Sequence, residues 1–141
     1  MADRPNEAGR QDGDRKRPLE GMLCFVLDDD FLIALDIQEI LESAGAASVV
    51  CVGSIADARA ALQNEPAFSV AVLDIGMDGN GREADMTIAA LLQERGTPFV
   101  FLTGMGSDDA RARKFPEAPL VDKPFQGGEL LAAVRRALRQ R

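Results

Sequence analysis

The chain has 141 residues with seven Phe, two Cys and no His, Trp or Tyr, which excludes a histidine base and a His-ligated metal site. Its formal charge is −7, and the first twenty residues carry five charges of each sign, so the whole acidic excess falls on residues 21–141. An acidic body with no Tyr or Trp to stack on bases argues against a nucleic-acid reader, and this length suits one domain that buries roughly 70% of its unfolded surface.

Residues 1 to about 20 are polar, contain Gly and Pro and show no periodicity, so they are expected to form a disordered or weakly ordered tail before a domain over 21–141. The N-terminus has no apolar h-region. The longest uncharged stretch, Ser43 to Ala56, spans only fourteen residues, short of the roughly 18 a membrane span needs. A cytoplasmic protein is expected, with Cys24 and Cys51 as buried small hydrophobes in a reducing compartment.

From Met22 onward, short apolar runs alternate with helical patterns. Leu23 to Leu27 reads as the first strand, and Ile33, Ile37, Ile40 and Leu41 then fall at helical spacing up to Gly45. Ser48 to Val52 is the second strand, followed by a helix over Ile55 to Gln63 with Ser54 and Asp57 as a capping-box-like start. Phe68 to Leu73 is the third, and Ala84, Ile88, Leu91 and Leu92 repeat the helical spacing to Gly96, a natural C′ residue. Phe99 to Leu102 is the fourth. The apolar stripe over Ser107 to Phe115 is thin, so that helix is expected to be short or mobile. Leu120 to Val121 is the fifth strand, and a helix over about Gly128 to Arg139 places Arg135, Arg136 and Arg139 favourably for its dipole.

Near-unbroken apolar strands are covered on both faces. Five of them alternating with five helices give an α/β fold, an open parallel sheet with right-handed crossovers and helices on both sides. Ligands bind such sheets beyond the carboxyl ends of the strands. There the chain puts Asp28, Asp29 and Asp30 after the first strand, Asp74 after the third, Thr103 after the fourth, and Asp122, Lys123 and Pro124 after the fifth.

Two carboxylates about 5 Å apart repel by roughly 3 kcal/mol at an effective dielectric near 20, so a cluster of them calls for protonation or a cation. Hard oxygen ligands with an open position suit Mg²⁺. With Lys123 as a second positive charge and Thr103 as a neutral donor, the set is suited to bring a phosphoryl group to a carboxylate nucleophile, a reaction that depends mainly on positioning and charge neutralisation.

Four segments, LDDD, AVLDIGMDG, FLTG and VDKPF, occur in order, each at an expected strand end. Together they resemble the receiver domain of two-component response regulators over roughly Leu23 to Leu138. The resemblance implies a flavodoxin-like doubly wound sheet of order 2-1-3-4-5. It implies Asp74 as phosphoacceptor, Asp29 as a direct and Asp28 as a water-mediated Mg²⁺ ligand, and the carbonyl of Gly76 as a further ligand. Thr103 would be the switch hydroxyl and Lys123 the phosphate-binding lysine, followed by a cis peptide to Pro124. The donor would be a phosphohistidine on a sensor histidine kinase or histidine phosphotransfer protein. The segment TPFVFLTGMG is also similar to single-domain, alphaproteobacterial-type regulators whose fourth strand ends in Phe-Ala-Thr-Gly plus an aromatic, with Leu102 and Met105 departing from that pattern.

Leu120 stands where the family commonly has an aromatic switch residue, so Thr103 is expected to act through repacking of Leu120 or of the loop after Met105. At the two positions that tune hydrolysis in the family, two residues after the phosphoacceptor and two after the threonine, this chain has Gly76 and Met105; neither side chain can orient an attacking water, so the resemblance implies a comparatively long-lived phosphoryl group. Only three residues follow Leu138, so output is expected through contact with another protein, on a face made by the last helix, the fifth strand and the fourth helix. The chain is not expected to act as an enzyme beyond its own phosphorylation and dephosphorylation.

Blander readings exist for each residue. Asp30 is best read as a helix cap, a lone Asp74 could be a turn residue, Thr103 a strand-end hydroxyl and Lys123 a solvated lysine; their coincidence on one edge favours function. The tract from Asp74 to Asp85 brushes the EF-hand pattern but has Gly76 at its third position and Asp85 at its twelfth. The main alternative is a small haloacid-dehalogenase-type phosphatase using Asp28, with Asp30, Thr103, Lys123, Asp108 and Asp109 mimicking its motifs. In that reading the last two precede the lysine in the wrong order and Asp74 has no role. A receiver-like scaffold that binds partners without phosphorylation is a third reading.

Overall fold

The computed structural model describes residues 17–64, 67–75, 86–104 and 112–140. Its strands are β1 (Leu23–Leu27), β2 (Ser48–Val52), β3 (Val70–Asp74), β4 (Phe99–Thr103) and β5 (Leu120–Asp122). The helices are α1 (Phe31–Ser43), α2 (Ile55–Asn64), α3 (Met86–Glu94) and α4 (Gly127–Arg139). All strand pairs are parallel and the sheet order is β2-β1-β3-β4-β5, the flavodoxin-like order implied by the resemblance. Of the expected helix over Ser107 to Phe115, residues 107–111 lie outside the described residues, and Ala112–Lys114 form a 3₁₀ turn.

Side chains alternate across each strand, so the sheet divides two cores. Cys24, Val26, Val72, Val100 and Leu102 pack against Ile37 and Leu41 of α1 and Leu130 and Val134 of α4. Phe25, Leu27, Leu73, Phe99 and Phe101 pack against Ala58 and Leu62 of α2 and Ile88 and Leu92 of α3. Burial on both sides leaves Cys24 fully enclosed, which pushes its thiol pKa up to about 11. Among the described residues no helix is long and apolar enough to cross a membrane.

The helix ends follow their local chemistry. The Asp30 carboxylate accepts the Leu32 and Ile33 amide hydrogens at the start of α1. Ser54 Oγ accepts the Asp57 N–H before α2. At Gly45 (φ +110°) and Gly96 (φ +76°) the backbone enters the left-handed region glycine tolerates. The Gly45→Glu42 and Ala46→Leu41 hydrogen bonds, and the Gly96→Gln93 and Thr97→Leu92 bonds, close α1 and α3 as Schellman motifs.

The structure departs from the expected tail at its end. Leu19 is 0% exposed within the α1–α4 core, its N–H donates to the Ala44 carbonyl at 3.0 Å, and Gly21 N–H donates to Gly45 O at 3.2 Å. The packed unit therefore includes residues just before Met22. One apolar side chain among charged neighbours has no period to reveal it. Leu19→Ala is expected to cost about 2–4 kcal/mol, read as a lower urea midpoint; an unchanged midpoint would show that this segment adds nothing to the core.

Candidate functional site

Every strand runs in one direction, so the polar residues that follow β1, β3, β4 and β5 arrive on the same edge. Asp28 is the first residue beyond β1, and its N–H donates to Val52 O at 3.1 Å, which continues the β1–β2 ladder by one step. Asp74 is the last residue of β3 and Thr103 the last of β4. Lys123 follows β5 and is placed by its N–H, which donates to Thr103 O at 2.8 Å. The Lys123–Pro124 peptide is cis.

These backbones bring together side chains that sequence separates widely. Lys123 Nζ lies 3.1 Å from Asp28 Oδ2 and 3.0 Å from Asp74 Oδ2. Asp28, Asp74 and Thr103 are 2%, 6% and 1% exposed, whereas Asp29 faces solvent. Asp28 Oδ1 accepts the Asp30 N–H at 2.9 Å; its Oδ2 is buried and has no hydrogen bond of good geometry, leaving the ion pair to Lys123 as its compensation. One carboxylate oxygen each from Asp28, Asp29 and Asp74 lies within 4.8 Å of the others.

The electrostatics follow from this crowding. Burial pushes the Asp28 carboxyl above the usual carboxylate range; the Asp30 N–H pulls it back, the nearby Asp74 charge raises it again, and Lys123 lowers it. Burial alone would lower the Lys123 pKa, but Asp74 and Asp28 together hold it above the ordinary lysine value. Among the described residues, three acids beside one ammonium leave a net negative pocket of hard oxygens, the donor set and charge that a divalent cation of the Mg²⁺ kind requires.

The structure thus brings Asp28, Asp29, Asp74, Thr103 and Lys123 to one strand-end edge, and gives Asp30 the capping part expected of it. Gly76 lies outside the described residues, as do Met105, Asp85, Asp108 and Asp109. Sequence reasoning set Lys123 opposite a metal; it missed that the ammonium bridges Asp28 and Asp74 directly. The sheet order carries only part of that signal: Lys123 follows the strand paired with β4 and must emerge beside Thr103 and, one strand further, Asp74, but the reach of its ammonium to both carboxylates is not set by strand order.

Comparison with known proteins agrees with this fold. The family model of the response regulator receiver domain matches residues 24–135. The chain is similar to a response regulator receiver protein from Sinorhizobium medicae WSM419, with 26% identity, a TM-score of 0.72, and coverage of 86% of this chain and 97% of that one. It is similar to SdrG from Sphingomonas melonis Fr1, with 29% identity, a TM-score of 0.66, and coverage of 86% and 98%. The response regulator PhyR from Brucella abortus shares the fold at 22% identity and a TM-score of 0.67, over 94% of this chain and 53% of that one. No curated protein matches. The family match spans both the acid pair and the lysine that closes on it, and it disfavours the phosphatase reading: the chain belongs to the receiver-domain family of two-component response regulators.

Proposed function

We propose that this chain accepts a phosphoryl group on Asp74 from a phosphohistidine of a sensor histidine kinase or histidine phosphotransfer protein, with Mg²⁺, and signals by protein contact. The observation that carries this reading is the Lys123 ammonium held 3.0 Å from Asp74 Oδ2 while Asp28 and Asp29 offer oxygens within 4.8 Å. The residues fit a Mg²⁺ ion. Asp28 Oδ2 is a buried acceptor with no hydrogen bond beyond its ion pair to Lys123, and among the described residues three carboxylates converge with one positive charge among them. Asp28, Asp29 and Asp74 would hold the ion, with the carbonyl of Gly76 as a further donor, and the bound ion supplies positive charge against the oxygens of an incoming phosphoryl group.

The chain's own residues do the rest. An Asp74 carboxylate oxygen forms a bond to phosphorus as the P–N bond to the donor imidazole breaks, and the bonding electron pair leaves with that nitrogen. Lys123, already charged and oriented by Asp28, neutralises a phosphoryl oxygen, and the Thr103 hydroxyl donates to another. Catalysis of this kind rests on position and charge rather than on a protein base, which suits a chain with no His. Asp28 orients Lys123 from its buried seat. The net charge of −7 supports a protein partner over nucleic acid and suits a cytoplasmic setting; residues 21–141 are proposed as the receiver unit, with residues 1–20 as a polar extension apart from Leu19.

The test is incubation of the purified chain with acetyl phosphate and Mg²⁺, followed by intact-mass measurement and mapping of the modified residue. One phosphoryl group on Asp74 is expected, lost in Asp74→Asn and on chelation of the metal. A label mapped to Asp28, or incorporation that survives in Asp74→Asn, would overturn the reading.

A further inference from the structure

Thr103 ends β4, and the alternation of that strand sets Phe99, Phe101 and Thr103 on one face. The Phe99 and Phe101 rings lie in the core beneath α2 and α3, with centroids 5.3 Å apart. A third ring, Phe115, stands edge-on to both, 5.6 Å from Phe99 and 5.9 Å from Phe101. Phe101 is also paired in register with Leu120 of β5. A line of contact therefore runs from the Thr103 position, one strand step of about 6.6 Å, to Phe101 and on to a ring that is only half-buried.

Phe115 is held differently from the other two rings. It follows the three-residue 3₁₀ turn Ala112–Lys114 rather than lying in a strand, and its local backbone ties are Phe115 N–H to Ala112 O and Ala118 N–H to Phe115 O, both 3.0 Å. It also borders two hollows. One, about 400 Å³, is lined by Thr97, Pro98, Phe99 and Ala137; the other, about 520 Å³, lies against Thr87, Ala90, Leu91 and Glu94 of α3. A ring in a close-packed interior cannot change place without displacing its neighbours, but this one has open space on either side. Packed elements with two seats convert small shifts into discrete rearrangements.

We infer that Phe115 is the moving part that carries the state of Thr103 to the surface, leaving its seat on Phe99 and Phe101 for one of the two adjoining hollows. This rests on the reading of Asp74 as phosphoacceptor. When the Thr103 hydroxyl turns toward a phosphoryl oxygen on Asp74, the end of β4 and the Phe101 ring shift with it, and Phe115 loses its edge-to-face contacts. The surface that changes is the ledge formed by Thr87, Ala90, Leu91 and Glu94 together with the 3₁₀ turn, which a protein partner can read.

The chain contains no Trp and no Tyr, so Phe115→Trp creates a single fluorophore at the proposed element. Acetyl phosphate and Mg²⁺ are expected to shift its emission maximum and change its quenching by acrylamide, in step with phosphoryl incorporation followed by intact mass. Phe68→Trp, whose native ring packs on Phe25 at 5.0 Å, should show no shift. Phe115→Trp combined with Thr103→Val, which should be labelled more slowly, is compared at equal phosphoryl occupancy by intact mass and should stay silent there. Should the tryptophan disturb the fold, 4-fluorophenylalanine incorporated into the unmutated chain reports the same event by fluorine resonance, the Phe115 signal moving furthest and the Phe68 signal staying in place. Phosphoryl uptake with no change at residue 115, or a change that persists without the Thr103 hydroxyl, overturns the inference. Absence of uptake in the unmutated chain overturns the Asp74 reading itself, a failure the mass measurement identifies separately.

Discussion

Lys123→Met is expected to destabilise the metal-free protein by about 3 kcal/mol, the range found when one partner of a buried ion pair is removed. The reason is the geometry around Asp28. Its Oδ2 has no hydrogen bond, its side chain is 0% exposed, and the ammonium 3.1 Å away is its compensating charge. With Lys123 gone, Asp28 and Asp74 face each other with oxygens within 4.8 Å, a repulsion of about 3 kcal/mol at an effective dielectric near 20. Urea unfolding at neutral pH with a chelator present measures the loss, and Mg²⁺ should restore part of it by supplying positive charge to the same oxygens. Asp28→Asn, which removes the buried charge and retains the acceptor for Asp30 N–H, should be better tolerated than Lys123→Met. Equal stability of Lys123→Met and the unmutated chain would mean that the bridge holds nothing together.

The fold was legible because the strands of a doubly covered sheet are short and nearly all apolar. Leu23–Leu27 and Ser48–Val52 have the same bounds in sequence and structure. The third strand starts later than its apolar run, at Val70: the Phe68 ring packs on Phe25 and the Ser69 N–H bonds to Leu23 O from outside the ladder. At the other end the strands continue through Asp74, Thr103 and Asp122, since polar side chains do not stop a backbone whose partners still pair. That extension matters for function, because it fixes the backbones of Asp74 and Thr103 within the sheet instead of leaving them on loops.

Convergence of the acids was legible for the same reason, parallel strands delivering their carboxyl ends to one edge. What could not be read was contact between distant side chains. Nothing in the residues around Lys123 says that its ammonium spans Asp28 and Asp74, and nothing around Phe115 says that its ring meets two rings of β4. Leu19 was missed because its burial depends on the end of α1, where Gly45 admits the segment: a Cβ there would lie 2.8 Å from Arg17 Cβ. Periodicity reports on a residue's own element, and each of these contacts joins two elements.

Three consecutive aspartates can be separated by what each loses. Asp30→Ala should cost about 1 kcal/mol through the loss of the α1 cap, because its carboxylate accepts the Leu32 and Ile33 N–H groups; the response to Mg²⁺ should survive. Asp29→Ala should do the reverse. Its side chain is exposed, so removing it costs the fold little, but it takes an oxygen from the group of three that face one another. Mg²⁺ at a hundred times its dissociation constant stabilises a binding-competent protein by about 2.7 kcal/mol, seen as a rise of roughly 10 °C in Tm for a domain of this size. That rise should vanish in Asp29→Ala and persist in Asp30→Ala. An Mg²⁺-dependent rise retained in Asp29→Ala would remove this residue from the ligand set and leave Asp28 and Asp74 as the acids that hold the ion.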